Sequence, residues 1–526
     1  MSNIAKSIDF FCFYEKMEMI GGILMATNYS KSLYRDYEKV CNKLDAVLSE
    51  LTEIRKEHKK EKQDLTKKID ELTKLVMILQ KIIEEKDKEI LRLKNKNDKD
   101  SSNSSKPSST NGYKKVITNR REKSNKSKGG QKNHKPHSLK NKLEQFINSG
   151  NVEEEIIEIN KNETNKDKRY IEKVVIDIKV TKVVKRYRYY MCDDGKYHIP
   201  EIHNQYVQYG NNIKSIAMDL MINLPNSTDG IVEFISDISN NGITLSKGTL
   251  INWESILKNN LSNDIQTIEN ELLDSYYINH DESQIKINGG GHNVLCACNN
   301  KYVRLWPSKH KSQDAIDEIG FLPKFNGVIV KDGTELYNKY GIVLTQCISH
   351  IQRYLKGIYD FVDHKAPKKL SEFFSKYINL RNEYIDINID KFSNDELSKI
   401  IEEYDSIINE WEAEIKHDLN NYLFDDELKL FTRLKYDNKK MDSKIRGDRD
   451  EVLYFLKDFN VPSTNNNAES SQRGVKIKQK IGKFRSEEGA NNYLVIKSCI
   501  LTFKKQKLDI LNCIKQSFEG QIILAN

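Results

Sequence analysis

Nowhere in the 526 residues does an apolar run approach the roughly 20 residues that span a bilayer, and Phe10 to Tyr14 is too short for a signal-peptide core. A membrane protein is excluded on this reading, and cytoplasm is the default compartment. Paired cysteines are missing as well. The eight cysteines (12, 41, 192, 296, 298, 347, 499, 513) are scattered without a Cys-x-x-Cys pair, so neither a disulfide framework nor a zinc ribbon is indicated. They are expected to be reduced and mostly buried. Acids are almost absent from residues 101–142, where twelve Lys or Arg stand against the single Glu122. That stretch is more basic than the whole chain, whose net charge is +8, so the remainder is close to neutral. A block of this density is the footprint of a phosphate-backbone binder, although solvated linkers can also be basic.

What is present bounds the architecture. Hydrophobic residues at 38% and charged residues at 31% suit real cores, while a mean hydropathy of -0.68 leaves long stretches solvated. The length allows about three or four domains. Leucine recurs every seven residues at Leu44, Leu51, Leu65, Leu72, Leu79 and Leu93, with His58 and Lys86 filling the two missing turns. Tyr37, Val40, Val47 and Ile54 extend the stripe. So narrow a seam on a helix of over 60 residues points to self-association as a coiled coil, most simply a dimer; a lone charged helix is the alternative. Beyond Leu93 the chain turns to Asn, Lys, Asp and Ser, and the run from Ser101 to Thr110 has nothing to pack. The basic stretch is therefore a flexible arm, kinked at Gly129-Gly130-Gln131.

Strand-like alternation over 153–190, clearest at Val174 to Val180, predicts a small antiparallel unit. Helical spacing returns from Ile213 to Leu224, where Pro225 stops it, and again from Ile231 to Ile238; Ser246 can cap a third helix carrying Leu250, Ile251 and Trp253. These short helices fit a helix-turn-helix-like element or plain packing around Trp253. From Tyr276 the pattern becomes strand, strand, strand, helix (Ser312 to Ile319) and strand (Gly327 to Lys331). Asp281 is expected at the end of the first strand and Asp332 at the end of the fourth, on adjacent central strands of a mixed sheet. Far downstream, Pro462 to Glu469 opens a helix that can aim Glu469 at the same place. Three acids holding two Mg²⁺ (or Mn²⁺) ions would serve an in-line phosphoryl transfer, the ions activating the attacking oxygen and stabilising the leaving one. Each acid alone has an ordinary reading as a turn or cap residue.

In order along the chain, the sequence resembles the bacterial DDE transposases of the insertion-sequence sixty-six group. The resemblance rests on the N-terminal zipper, Lys106-Pro107-Ser108-Ser109, Gly129-Gly130-Gln131 with His134, and Pro225. It continues through Gly242 to Ser246, Gly248 to Trp253, Asp281-Glu282-Ser283, Val330 to Gly333 with Tyr337, and Cys347 with His350 and Arg353. Asn466-Asn467-Ala468-Glu469, the run Lys483-Phe484 to Gly489-Ala490, and Thr502 complete it. It implies a multidomain α/β chain with an RNase H-like catalytic core whose metal-binding triad is Asp281, Asp332 and Glu469. The implied activity is cleavage of element ends and strand transfer into target DNA; a decayed, catalytically inactive DNA-binding coiled-coil protein is the alternative. The 136 residues between Asp332 and Glu469 exceed what such a core needs, so 362–455 reads as a helical insertion.

The expected division is 1–30 as an N-terminal segment, 31–96 as zipper, 97–142 as basic arm and 143–205 as β-rich unit. Next come 206–265 as the helix-turn-helix-like region, 270–361 and 456–526 as the two parts of the core, and 362–455 as the insertion. Lys114, Lys115, Arg120, Arg121, Lys123, Lys126, Lys128 and Lys132 of the arm are expected to bind DNA. His350 and Arg353 would neutralise phosphate near Asp332, or form a solvated helix face. Arg473 could replace the Arg that the family often has directly after its catalytic Glu, where this chain has Ser470. The family's cysteine-rich zinc motif is reduced here to Cys192 with His198 nearby, so no structural zinc is expected, and His198 and His203 are expected at the surface. Partners are DNA, a second copy through residues 33–93 and accessory proteins of the same element; the place is the bacterial cytoplasm, at the nucleoid. Finally, Gly21-Gly22 can be encoded as a ribosome-binding core just upstream of Met25, which makes Met25 the expected start; a genuine N-terminal extension packing through Phe10, Phe11 and Phe13 is the alternative.

Overall fold

The computed structural model describes residues 28–98 and, with breaks at 363, 419–424 and 436–448, residues 205–524; between them it describes residues 147, 155–157, 174, 180–200 and 203. The proposed leader before Met25 and the whole basic arm, Lys114 to Lys132 included, lie outside the described residues. Two compact units result, 1–98 and 99–526. Among the described residues no helix is long and apolar enough to cross a membrane.

Helix α1 (Asn28–Asp98) fills the first unit. It contains neither Gly nor Pro and is dominated by Lys, Glu and Leu, residues that lose little on entering a helix. Its seam residues Leu44, Leu51, Leu65, Leu72 and Leu79 are 46–61% exposed, so this chain alone does not cover the stripe.

In the second unit, the described part of the expected β-rich region is not sheet. Residues 180–190 are coil, with Val183 and Val184 71% and 80% exposed. Alternation supplies a face but no partner strand, and without a ladder the backbone gains nothing from extension. Helices α2 (Asn211–Met218, continued as a π-turn to Asn223), α3 (Thr228–Ile238), α4 (Lys247–Asn260) and α5 (Ser262–Leu273) follow. The Ser246 side chain accepts the Thr249 N–H and so caps α4 as its position predicts. Trp253 is buried edge-on against Tyr209, whereas Ile251 turns outward, 49% exposed. Eight residues, 239–246, join α3 to α4, longer than the three or four of a helix-turn-helix; plain packing around Trp253 describes this region better.

The sheet comprises β1 (Tyr277–Ile287), β2 (Gly290–Cys298), β3 (Val303–Ser308), β4 (Val328–Lys331) and β5 (Val343–Gln346), in the order β3-β2-β1-β4-β5. The first three form an antiparallel meander, and β4 and β5 add in parallel on the other side of β1. Helix α6 (Gln313–Ile319), capped by Ser312, makes the crossover to β4. Pro307 is tolerated because β3 is an edge. That edge is closed by the later helix Glu487–Lys505: Thr502 and Ser498 hydroxyls accept the Val303 and Leu305 N–H groups, each at 3.0 Å. One correction bears on the site. The first strand runs on to Ile287, and Asp281 lies in its middle, opposite Cys296 on β2, rather than at its end.

After β5 come α7 (Ile348–Tyr359), α8 (Ala366–Asp386), α9 (Asn394–Asp418), α10 (Asp425–Leu434) and α11 (Arg449–Lys457). They share a core of their own, built on Phe373, Phe374, Tyr404, Trp411 and Phe455. Inside it the buried Glu427 carboxylate binds both His364 Nδ1 (2.6 Å) and Trp411 Nε1 (2.7 Å). The insertion thus packs as a body with its own interior, and α7 belongs to that interior. Helices α12 (Asn466–Ile481), α13 (Glu487–Lys505) and α14 (Ile510–Phe518) then return to the sheet, where the buried face of α13 (Leu494, Cys499, Ile500, Phe503) joins the main core.

Candidate active site

Strand pleating decides which side chains meet. On β1, Asn279 and Asp281 point to the face covered by α12, while His280 and Glu282 point to the other. There His280 packs edge-on against Tyr337, and Glu282 is gripped by the Tyr337 hydroxyl and Lys311. Asp332 is the first residue after β4, and its Oδ1 accepts the Thr334 N–H at 3.1 Å, which fixes the turn. The β1–β4 register pairs Asn279 with Val330, so two residues further on Asp281 comes beside Asp332. Glu469 sits in the first turn of α12.

Buried Asn465 locks these elements together. Its amide donates to His280 O (2.8 Å) and accepts from Asn279 Nδ2 (3.1 Å), and its N–H meets Cys347 Sγ (3.1 Å). Cys347 N–H donates in turn to Lys331 O at 2.8 Å, and Gln472 Nε2 donates to Asp281 O at 3.0 Å. One residue before Asp281, one before Asp332 and four before Glu469 are therefore held by one buried network. Each such bond contributes about 1 kcal/mol, and each polar group left unpaired in this interior would cost about 1–3 kcal/mol.

The charges are in conflict. Burial, and then the neighbouring carboxylates Glu282, Asp332 and Glu469, push the Asp281 pKa well above the carboxylate range. Glu469 Oε1 is buried without a hydrogen-bond partner, 3.6 Å from His350 Nε2. His350 Nδ1 is buried and also lacks a partner. Burial lowers the His350 pKa, and the cations Arg353 and Arg433 act in the same direction, against Glu469 and Asp332. Burial thus works against the imidazolium form that neutralising a phosphate would need. Arg353 is half-buried on α7 close to it, while Arg473 is exposed on α12. Three residues that matter here escaped the sequence reading. Arg433 gives no local signal, being about 100 residues from Asp332; Asn465 lies inside an asparagine run that reads only as a helix start; and Lys311 reaches Glu282 through a contact that only the fold supplies.

The donor set fits hard divalent cations. Carboxylate oxygens are what Mg²⁺ or Mn²⁺ prefers, and a cation among them would relieve both the raised Asp281 and the orphaned Glu469 oxygen. Donor atoms of Cys347, His350 and Glu469 also lie within 4.8 Å of one another. Burial raises the Cys347 pKa to about 11, so it stays a thiol, which suits the hydrogen bond from Asn465 better than metal ligation. A second group, Cys192, Asp194 and His198, lies within the same limit on the surface; Asp194, bonded to His198 at 2.9 Å, is a donor that the sequence reading passed over. His203 departs from expectation: it is half-buried, its ring 4.1 Å from that of Tyr187 and tilted against it, and bonded to the Tyr189 hydroxyl.

No curated protein matches the chain. Residues 234–492 match the family model described as Transposase IS66 family. The match begins in α3 and ends in α13, and so takes in the whole sheet, the insertion and the three acids. Residues 234–492, a little under half of the chain, are thus similar to the IS66 family of transposases.

Proposed function

We propose that this protein cuts the ends of its insertion sequence and joins the freed 3′ hydroxyls to target DNA, with Asp281, Asp332 and Glu469 as the metal-binding triad. The observation that carries this reading is the meeting of the three carboxylates from β1, the end of β4 and the first turn of α12, in a chain similar to a family of transposases. These side chains would hold two Mg²⁺ or Mn²⁺ ions, which when bound supply the charge that activates an attacking oxygen and stabilises a leaving one. The protein's own part is position and charge. Asn465 and Gln472 keep the acids in register, and Arg353 offers a guanidinium to phosphate. His350 turns its Nε2 toward Glu469.

The remaining parts follow the domains read from the sequence. The zipper (31–96) pairs two copies and so two element ends; the arm (97–142), through Lys114 to Lys132, holds DNA; residues 206–265 and Arg473 add contacts; and accessory proteins of the element complete the machinery in the cytoplasm. Retention of all three acids favours this reading over a decayed DNA-binding protein. The test is strand transfer by the purified chain with Mg²⁺, using a labelled duplex from the DNA bordering the coding sequence. Products absent in Asp332→Asn support the reading, and a chain that binds this duplex without ever cutting it favours the decayed protein.

A further inference from the structure

Arg433 stands near the end of α10, in the helical insertion, yet its guanidinium lies against Gly333, the residue that follows Asp332. A Cβ placed on Gly333 would come within 2.7 Å of Arg433 Cζ, so the absence of a side chain there is what admits the guanidinium. The Tyr354 ring of α7 supports it, with Cζ 5.5 Å from the ring centroid. Its Nε and Nη2 are buried, and neither has a hydrogen-bond partner. Arginine does not shed its charge, so a guanidinium held here with two N–H donors unspent is costly unless something arrives to accept them. Among the described residues no carboxylate forms an ion pair with it.

We propose that Arg433 is a catalytic residue supplied by the insertion, its Nε–Nη2 edge donating to the non-bridging oxygens of the DNA phosphate that reacts beside Asp332. This rests on the transposase reading above. A planar fork that matches two phosphate oxygens, delivered from a separately packed body, makes the insertion part of the chemistry rather than a spacer. It also gives Gly333 a role, since any side chain would displace the fork.

The test uses the full chain, Mn²⁺, a labelled duplex from the bordering DNA and a supercoiled plasmid target. Arg433→Ala should lose about 100-fold or more in strand transfer, the scale of removing one charge-stabilising donor, with duplex affinity changed by no more than about twofold. Arg433→Lys should recover part of the loss, and guanidinium ion, but not urea, should raise the rate of Arg433→Ala. Gly333→Ala should fall in the same direction. Full activity in Arg433→Ala beside an active wild type overturns this proposal and leaves the transposase reading standing. A wild type that cuts no DNA overturns the reading and the proposal with it. Equal losses in the Ala and Lys variants, with lowered melting temperatures and no response to guanidinium, make Arg433 a structural brace and overturn the catalytic role.

Discussion

Glu254 offers a measurable check on the interior of the second unit. It lies on α4 with 4% of its surface exposed, and burial raises its pKa from the ordinary 4.5 to about 7, in spite of the opposing pull of Lys478. Lys478 is itself pushed below its ordinary value by burial, so neither partner is well served. Below the unfolded pKa both states hold the proton and Glu254 costs nothing. As pH rises through 4.5 the unfolded chain loses the proton while the folded chain keeps it, and stability falls until the folded pKa is passed near 7. The gap corresponds to roughly 3 kcal/mol at about 1.4 kcal/mol per unit. Gln mimics the protonated acid, and the pKa of about 7 already contains the pull of Lys478, so Glu254→Gln should gain roughly 3 kcal/mol at pH 8.5, or roughly 6–12 °C in apparent melting temperature. At pH 5.5 most of the gain should vanish. Melts of wild type and variant at both pH values decide it. A variant less stable at pH 8.5, or a difference that does not change with pH, refutes the reasoning.

Other outcomes follow from the candidate site and the N-terminal half. Asp281→Asn, Asp332→Asn and Glu469→Gln should each abolish cleavage and joining in gel assays while end binding persists; near-normal transfer by any of them removes that residue from the site. Deleting residues 101–142 should weaken DNA binding and flatten its dependence on salt, because counterion release scales with phosphate contacts; an unchanged slope in a salt titration would reduce the arm to a spacer. Leu65, Leu72 and Leu79 replaced together by Glu should convert an oligomer to a monomer in light scattering, since charges would enter a desolvated seam, and an unchanged mass sinks the zipper as the assembly element.

Much of the catalytic half could be read from local signals. Ser246 and Ser312 mark helix starts because a side-chain oxygen there satisfies an otherwise unpaired N–H, and Asp332 follows an apolar strand that has no choice but to be interior. Asp281 reads as a strand end because the polar run Glu282-Ser283-Gln284 follows it. They continue the strand since β2 pairs with them residue by residue and Tyr337 and Lys311 receive the Glu282 carboxylate, facts of tertiary neighbourhood. The same limit explains 180–190, where alternation announces a face but not a partner, and His203, whose neighbours Tyr187 and Tyr189 come from a coil that periodicity does not describe. Arg433 was invisible for the plainest reason: nothing in α10 tells which surface of another body its end will touch.

The order in which the ribosome delivers these pieces has a consequence of its own. Translation supplies α1 and the basic arm first, then the five strands with Asp281 and Asp332, and then the whole insertion, before Asn465 and Glu469 leave the exit tunnel. If the arm holds DNA as proposed, a nascent chain would engage it while the proposed carboxylate set is still incomplete, with Asn465 the last clasp to close. Growing protein tethered beside its own gene would arrive there unarmed, and become competent only once α12 has been made.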